Sequence, residues 1–289
     1  MPSLIDIRRC IRSVKNTQQI TKAMKMVSAA KLRRAQDRVI SARPYGGLLR
    51  QVLSNVAAAA ASDERSSENP LLAQRPEQRI LLVLVTSDKG LAAAFNSNLI
   101  KGAQRFIAER PGVTIRMELI GRKGRDFFRK RGADIVGDHV GLAAKVAYAD
   151  TAAIARKAMD LYCNEEIDAV YILYNEFKSV VAQKLTLNRV LPVEMPRGTA
   201  DTAPIEYIYE QPPAEMLTAL LPRYVEMEFY RALLESAAAE HAARMTAMEA
   251  ATSNAGEMID KLTLYMNRVR QASITKEIIE VVSGAAAAE

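Results

Sequence analysis

The last quarter of the chain has a regular spacing of apolar and small residues. From Leu234 to Ser273, steps of four and three residues alternate, which is the 3.5-residue repeat of a left-handed coiled coil held for about five heptads. Between Val225 and Ser283 there is no Pro and only one Gly, Gly256. This pattern predicts one long helix. Its predicted seam positions are Leu234, Ala238, His241, Met245, Met248, Thr252, Ala255, Ile259, Leu262, Met266, Val269 and Ser273.

A second long helix is predicted at the start of the chain, because Ser3 to Arg43 contains neither Pro nor Gly. A long helix on its own is not stable in water and needs a partner along its length, so we expect the two helices to pair. Several seam residues are small, and the coiled coil should therefore be slim. The apolar stripe of the first helix is predicted at Ile7, Ile11, Val14, Ile20, Met24 and Val27.

The middle of the chain has a different period and most of the Gly and Pro residues. The continuous apolar run Ile80–Thr86 is typical of a parallel strand that is buried on both faces. Strands and helices then alternate, which favours a doubly wound α/β domain. Further strands are predicted at Ile115–Ile120 and Ala169–Tyr174, an edge strand at Lys184–Val190, and helices at Asn96–Arg110, after Gly121 and at Leu142–Cys163.

These elements predict a fold class of α/β plus long helical coiled coil. Polar and Pro-rich stretches mark the linkers. The predicted division is a coiled-coil helix over 1–60, a linker over 61–76, a small Rossmann-like α/β domain over 77–195, a linker over 196–212 and a second coiled-coil helix over 213–289.

The net charge of +7 is concentrated at the start of the chain. Residues 1–50 contain twelve Lys or Arg and two acidic residues, Asp6 and Asp37. Such an Arg-rich, acid-poor block is compatible with a mitochondrial transit peptide, with an arm that binds nucleic acid, or with a helix that faces an acidic partner. No aromatic residue interleaves the basic residues before Tyr45, which favours a solvated or protein-facing surface over nucleic-acid binding.

Residues that could carry chemistry are sparse. The segment after the first strand contains neither of the glycine-rich phosphate-binding motifs. Gly121 and Gly124 fit an ordinary turn, His139 is predicted in a loop and His241 in the coiled-coil seam. The only cysteines, Cys10 and Cys163, are far apart and are predicted to be reduced thiols.

From this chemistry we predict no catalytic residue, no cofactor and no bound metal, and the chain has no apolar run long enough to span a membrane. Residue chemistry alone leaves a basic coiled-coil scaffold, or a nucleic-acid-binding protein with a non-catalytic α/β domain, as alternatives.

Four segments are similar to one family. Ser13–Gln36 closely resembles the N-terminal helix of F-type ATP synthase γ subunits, and Arg270–Ala288 resembles the C-terminal end of the same subunits. Glu240–Ile259 and Tyr207–Glu226 also look like this family. The resemblance covers nearly the whole chain in order and begins within the first ten residues, so it favours a bacterial or already mature chain over one that carries a transit peptide.

The resemblance implies a mechanical role. In this family the terminal helices form an antiparallel coiled coil inside a ring of three α and three β subunits, and catalysis belongs to the β subunits. One copy of the shaft also contacts the ε subunit and the membrane ring of c subunits. The implied function is the central rotor shaft of proton-driven ATP synthase, on the cytoplasmic face of the bacterial inner membrane, with no direct membrane insertion and no nucleic acid.

The resemblance also nominates contact residues. It implies contacts with the β subunits at Met24, Lys89, Arg270, Gln271 and Thr275, where packing in the seam is the plain alternative for Met24. It implies that Tyr207 and Glu210 lie at the foot that contacts the c ring.

The chain departs from the family at two points. Ala92, Ala93 and Ala94 stand where the family often has Cys-Gly-Gly, and the loss of two glycines leaves less freedom for positive φ after Lys89. The cysteine-containing insert of plant γ subunits is absent, and we therefore predict no thiol switch.

Overall fold

Two long helices and an α/β fold make up the computed structural model, which describes residues 3–60, 69–142, 146–194 and 211–286. The helices are α1 (Leu4–Ala60), α2 (Phe95–Ala108), α3 (Arg122–Arg129), α4 (Tyr148–Cys163) and α5 (Pro213–Ala286), and the strands are β1 (Arg79–Val85), β2 (Thr114–Ile120), β3 (Ile135–His139), β4 (Ala169–Phe177) and β5 (Gln183–Leu191).

The five strands form one sheet in the order β3-β2-β1-β4-β5. The first four run parallel, and β5 pairs antiparallel with β4 at one edge. Strand β1 lies at the centre, and every residue of its apolar run is buried, as expected for a strand that is covered on both faces. The predicted α/β sheet and its edge strand are confirmed.

Two predictions inside the α/β fold are wrong. His139 is the last residue of strand β3 and not part of a loop, because β3 pairs with β2 through Asp138 and His139. The helix predicted from Leu142 begins only at Tyr148. Strand β3 is short and includes Gly137 and Asp138, residue types that are depleted in strands, so its sequence carries little strand signal.

By internal packing the chain divides into two compact units. Unit 1 comprises Met1–Ala29 and Arg244–Glu289, and unit 2 comprises Ala30–Ala243. In unit 1, α1 and α5 pair antiparallel: the Lys25 ammonium lies 2.6 Å from the Glu249 carboxylate, and the hydroxyls of Thr21 and Thr252 are 2.8 Å apart. Unit 2 contains the sheet with its helices, the rest of α1 and the first part of α5.

The predicted seam of α5 is confirmed, since none of its twelve positions is exposed. The predicted stripe of α1 is only partly right. Ile7, Ile11 and Val14 face the seam, but Ile20 and Val27 are exposed. The heptad continues instead through polar residues, because the 3.5-residue repeat requires a seam residue at these positions whatever its polarity. The observed seam of α1 in unit 1 is Ile7, Ile11, Val14, Gln18, Thr21, Lys25 and Ser28.

Part of the predicted linker 61–76 packs against the α/β fold. Leu71 is buried, and its carbonyl accepts a hydrogen bond from the Val193 amide at 3.0 Å. The Arg75 guanidinium donates to the carbonyl of Tyr162 at 3.0 Å and lies 4.7 Å from the centre of the Tyr162 ring. Residues 69–76 are therefore held along the sheet domain.

Candidate functional site

The C-terminal end of α5 extends past the start of α1. Thr21 lies beside Thr252 in the antiparallel pair, so Leu4, 17 residues before Thr21, is level with residue 269, 17 residues after Thr252. From Arg270 to Ser283 every residue except Ser273 is exposed. The tip of α5 is therefore a single helix in this chain, with a surface open to a partner.

Three nominated residues lie together on this tip. Arg270, Gln271 and Thr275 are all exposed within about one and a half turns of α5. The Thr275 hydroxyl donates to the carbonyl of Gln271, four residues earlier in the same helix, at 2.9 Å. The Arg270 and Gln271 side chains are open to solvent. On this tip, the Arg270 and Gln271 side chains have the geometry to reach a partner.

Met24 does not belong to the same patch. It is half-buried next to Lys25, whose partner Glu249 lies 21 residues before Arg270 on α5. At 1.5 Å per residue the two levels are separated by about 30 Å along the helix. Met24 and Arg270 would therefore touch different parts of a partner, or different partners.

Sequence reasoning missed an exposed apolar surface at the tip. Its five large side chains are between 48% and 72% exposed, and a contiguous apolar surface on a soluble protein usually marks an interaction site. The sequence could have indicated this surface, because these residues lie beyond the start of α1 in the antiparallel pair. They therefore have no opposing helix to pack against. The surface consists of Ile274, Ile278, Ile279, Val281 and Val282.

The outer face of α1 in unit 1 has a similar character. Ile20, Met26 and Val27 are each more than half exposed, and they alternate with exposed basic residues such as Lys22. This mixture fits a partner that has both apolar and acidic surface better than it fits nucleic acid, whose phosphates require mainly basic contacts.

Lys89 lies in unit 2, in the loop after β1, and is exposed. The Ser87 hydroxyl donates to the Lys89 carbonyl at 2.6 Å. Asp88 fixes the same loop, since its two carboxylate oxygens accept hydrogen bonds from the amides of Arg122 and Gly141, each at 3.0 Å. The loop is thus tied to two other elements, and Lys89 is presented on a rigid support.

The substituted part of this loop keeps an unusual backbone. Leu91 and Ala93 have φ values of 62° and 47°, in the left-handed region that glycine adopts most easily. Ala94, by contrast, has φ of −83°. The chain therefore retains a glycine-like conformation at position 93 without the glycine, at a cost in strain.

The turn from β2 into α3, which contains Gly121 and Gly124, is closely packed against the end of β1. The first amides of α3 would be the donors for a phosphate, but they already bind the end of β1. The Lys123 amide donates to the Ser87 carbonyl at 3.1 Å and the Gly124 amide to the Thr86 hydroxyl at 2.9 Å. A Cβ on Gly121 would lie 2.1 Å from the Thr86 carbonyl oxygen, so this glycine serves close packing.

A charge cluster that includes His139 surrounds the buried Glu118 at β2 and β3. The Glu118 carboxylate accepts from His139 Nε2 at 2.7 Å and from Lys157 Nζ at 3.0 Å. Burial by itself would raise the pKa of Glu118, but the hydrogen bonds from His139 and Lys157 outweigh burial and hold that pKa below its ordinary value. The three groups satisfy one another, which is the arrangement of a structural ion cluster.

Other classes of site receive no support from the described ranges. Within residues 3–60, 69–142, 146–194 and 211–286, no group of three His, Cys, Asp or Glu side chains is placed to hold a metal ion. No helix in those ranges combines the length and apolarity that crossing a bilayer requires. Cys10 and Cys163 are both free and exposed. Tyr207 and Glu210 lie outside the described residues.

Comparison with known proteins finds a matching family model and closely similar sequences. The protein-family model described as ATP synthase matches residues 3–288. A protein named ATP synthase gamma chain from Solibacter usitatus is 76% identical over 289 residues, which is 100% of both chains. One of the same name from Anaeromyxobacter sp. (strain Fw109-5) is 53% identical and covers 99% of both chains.

Solved structures show the same architecture. A chain of the central stalk and c ring of Tetrahymena thermophila mitochondrial ATP synthase has a TM-score of 0.61 at 25% identity and covers 80% of this chain and 99% of that chain. A chain of the Euglena gracilis mitochondrial ATP synthase in rotational state 3 has a TM-score of 0.67 at 20% identity, over 98% of this chain and 94% of that chain. The Euglena likeness concerns the fold.

Proposed function

The chain belongs to the ATP synthase gamma chain family, and we propose that it transmits torque through the exposed tip of α5, the outer face of α1 and the foot of the α/β domain. Its role is that of the rotor shaft in the central stalk of ATP synthase, as a non-catalytic subunit of that complex. The alternatives of a free scaffold and a nucleic-acid-binding protein are set aside by this membership.

The finer partners are part of the proposal. One copy of the chain would stand in a ring of three α and three β subunits and would also contact ε and the c ring. The complex would lie on the cytoplasmic face of the bacterial inner membrane, with this chain as a peripheral component. Tyr207 and Glu210 stay proposed contacts with the c ring, and the limits 1–60, 77–195 and 213–289 stay the proposed domains.

The observation that carries the proposal is the exposed single-helix tip of α5. Arg270 and Gln271 lie where the paired part of the coil ends, next to exposed apolar residues that begin at Ile274. Such a surface needs a partner that encloses it. The ring of α and β subunits would cover the apolar residues, and Arg270, Gln271 and Thr275 would contact the β subunits, as Met24 and Lys89 would at other levels.

The free energies involved require that the torque be shared among many contacts. Moving one charge through 100 mV releases about 2.3 kcal/mol, so several protons deliver on the order of ten kcal/mol per ATP. An exposed ion pair contributes only about 0–1 kcal/mol. No single contact can therefore carry the torque, and removal of a few contacts should slow turnover without abolishing assembly.

The test is the double variant Arg270→Ala with Gln271→Ala in the purified complex. We expect assembly to persist and ATP hydrolysis and ATP-driven proton pumping to slow, because the tip loses its polar contacts with the β subunits. Truncation after Ile278 should have a milder effect. Subunit content is measured on the same samples.

A matched control is available on α2, where Gln104 and Arg105 form an exposed pair of the same residue types. Gln104→Ala with Arg105→Ala should leave turnover unchanged. Full turnover in an intact Arg270→Ala, Gln271→Ala complex would show that these residues do not grip the β subunits.

A further inference from the structure

Two carboxylates of α5, Glu226 and Glu228, are almost completely buried. Their side chains are only 7% and 9% exposed, which is unusual for glutamate unless it is paired. Residues two apart on a helix are separated by about 200° around its axis. Glu226 and Glu228 therefore lie on nearly opposite sides of α5.

Glu226 is bound by helix α4 of the α/β domain. Its two carboxylate oxygens accept hydrogen bonds from the Tyr148 hydroxyl at 2.6 Å and from Arg156 Nε at 2.7 Å. The Tyr148 ring also packs edge-on against Tyr230 of α5, with centroids 5.5 Å apart. Burial and the Glu226 carboxylate raise the pKa of Tyr148 to about 12, so its hydroxyl stays a donor throughout the physiological range.

Glu228 is bound by two different elements. Its carboxylate accepts from Arg50 of α1 at 3.1 Å and from Asn188 of β5 at 3.2 Å. Arg231, one turn further along α5, donates to the same carboxylate at 2.7 Å. One side of α5 is thus held by α4, and the opposite side by β5 and α1.

We propose that Glu226 and Glu228 are positioning residues that lock the α/β domain to α5 against rotation about the helix axis. A contact on one side of a helix can act as a pivot, whereas contacts on opposite sides oppose rotation in both directions. Hydrogen bonds between charged groups are stronger and more directional than neutral ones. Torque that reaches the α/β domain would enter the shaft at this turn of α5. The proposal rests on the rotor function proposed above.

The experiment compares ATP synthesis with ATP hydrolysis in purified complexes that carry Glu226→Ala with Glu228→Ala. ATP hydrolysis in the catalytic ring needs only the part of the shaft that the ring would enclose, so hydrolysis should persist. Synthesis needs torque from the α/β domain, and the double variant removes hydrogen bonds to charged groups, which are stronger than those between neutral groups. We therefore expect the ratio of synthesis to hydrolysis to fall roughly threefold or more. A merely structural role would lower both rates together, in step with the amount of assembled complex.

The control is Glu109→Ala, which removes an ion pair of 2.7 Å with Arg105 in the same domain but makes no contact with Glu226 or Glu228. Its ratio should equal that of the unmodified complex. If the double variant does not assemble, Tyr148→Phe with Arg156→Gln decides the matter, because it removes the donors to Glu226 and leaves α5 intact.

Two results would overturn the proposal: an unchanged ratio in an assembled variant, or parallel loss of synthesis and hydrolysis. Failure of the rotor function itself looks different. In that case the unmodified chain would not assemble with α and β subunits, or its complex would not couple hydrolysis to proton pumping.

Discussion

The same helix, α1, is built differently in the two units. In unit 2 its heptad seam is apolar and tightly packed, with Leu53 and Val56 fully buried. In unit 1 the seam passes through Gln18, Thr21 and Ser28, while large apolar side chains such as Ile20 face outward. One heptad pattern thus supports an apolar, tightly packed seam in unit 2 and a slim, more polar seam in unit 1.

The two units also differ in where their charged and apolar side chains find partners. In unit 2 the buried carboxylates of Glu226, Glu228 and Glu118 are paired within the unit. Unit 1 leaves large apolar side chains such as Ile20 and Ile278 exposed, and we infer that the surrounding subunits cover them. In the isolated chain, unit 1 should therefore be the less stable of the two.

The largest expected effect is a cavity in the apolar seam of unit 2. Leu53 is 0% exposed, and Leu53→Ala should lower the free energy of unfolding by about 2–5 kcal/mol, the range for buried leucine in well-packed cores. Leu262→Ala, at a half-buried seam position of unit 1, should cost less than about 2 kcal/mol. Urea unfolding followed by circular dichroism measures both, and equal losses would contradict the division between the units.

A second prediction uses acid to probe the charge cluster of unit 2. Because the pKa of Glu118 is lower in the folded chain than in the unfolded chain, its ion pairs stabilise the fold above the unfolded value of about 4.3. That contribution is lost as the pH falls through the lower folded value. Glu118→Gln should cost about 1–3 kcal/mol at neutral pH, since the Lys157 ammonium loses its charged partner, and should make the acid dependence shallower.

Urea unfolding is measured at a series of pH values from neutral down to about pH 3. Hydrogen exchange in strands β2 and β3 then reports the stability of the region around the cluster. The exposed Glu109 provides the control, because Glu109→Gln should leave the acid dependence of stability nearly unchanged. An acid profile of Glu118→Gln that matches the unmodified chain would show that this cluster does not set acid stability.

The smallest expected effect concerns the polar seam of unit 1. Thr21→Val removes the hydroxyl contact with Thr252, which is 2.8 Å long, and should cost about 1 kcal/mol. The Thr252 hydroxyl keeps its bond to the Met248 carbonyl at 2.7 Å. Adding Thr252→Val should recover most of the loss, because two apolar groups of the same shape can replace a hydrogen-bonded pair.

A double-mutant cycle on thermal unfolding of unit 1 measures this coupling. Recovery would mean that the polar seam serves register and slimness and not stability. If the two losses simply add, the hydroxyl pair is not a coupled unit, and the polar seam would need another explanation.

Local repetition made much of the fold predictable from sequence. The seam of α5, the buried strand β1 and the edge strand β5 follow from patterns that a few neighbouring residues carry. The register of α1 did not, because Gln18 and Thr21 fill seam positions that a hydrophobic pattern assigns to Ile20. Strand β3 was missed because its five residues have little strand propensity and are held by pairing with β2.

By itself, the sequence determined the two paired helices, the α/β domain between them and, through resemblance, the family. It also placed Arg270 and Gln271 near the end of the coil. The tertiary structure alone decided that Met24 lies at another level, that Asp88 and the end of β1 bind the first amides of α3, and that Glu226 and Glu228 contact the α/β domain. Their partners Arg156 and Arg50 lie 70 and 178 residues away in the chain, and no local pattern encodes contacts across such distances.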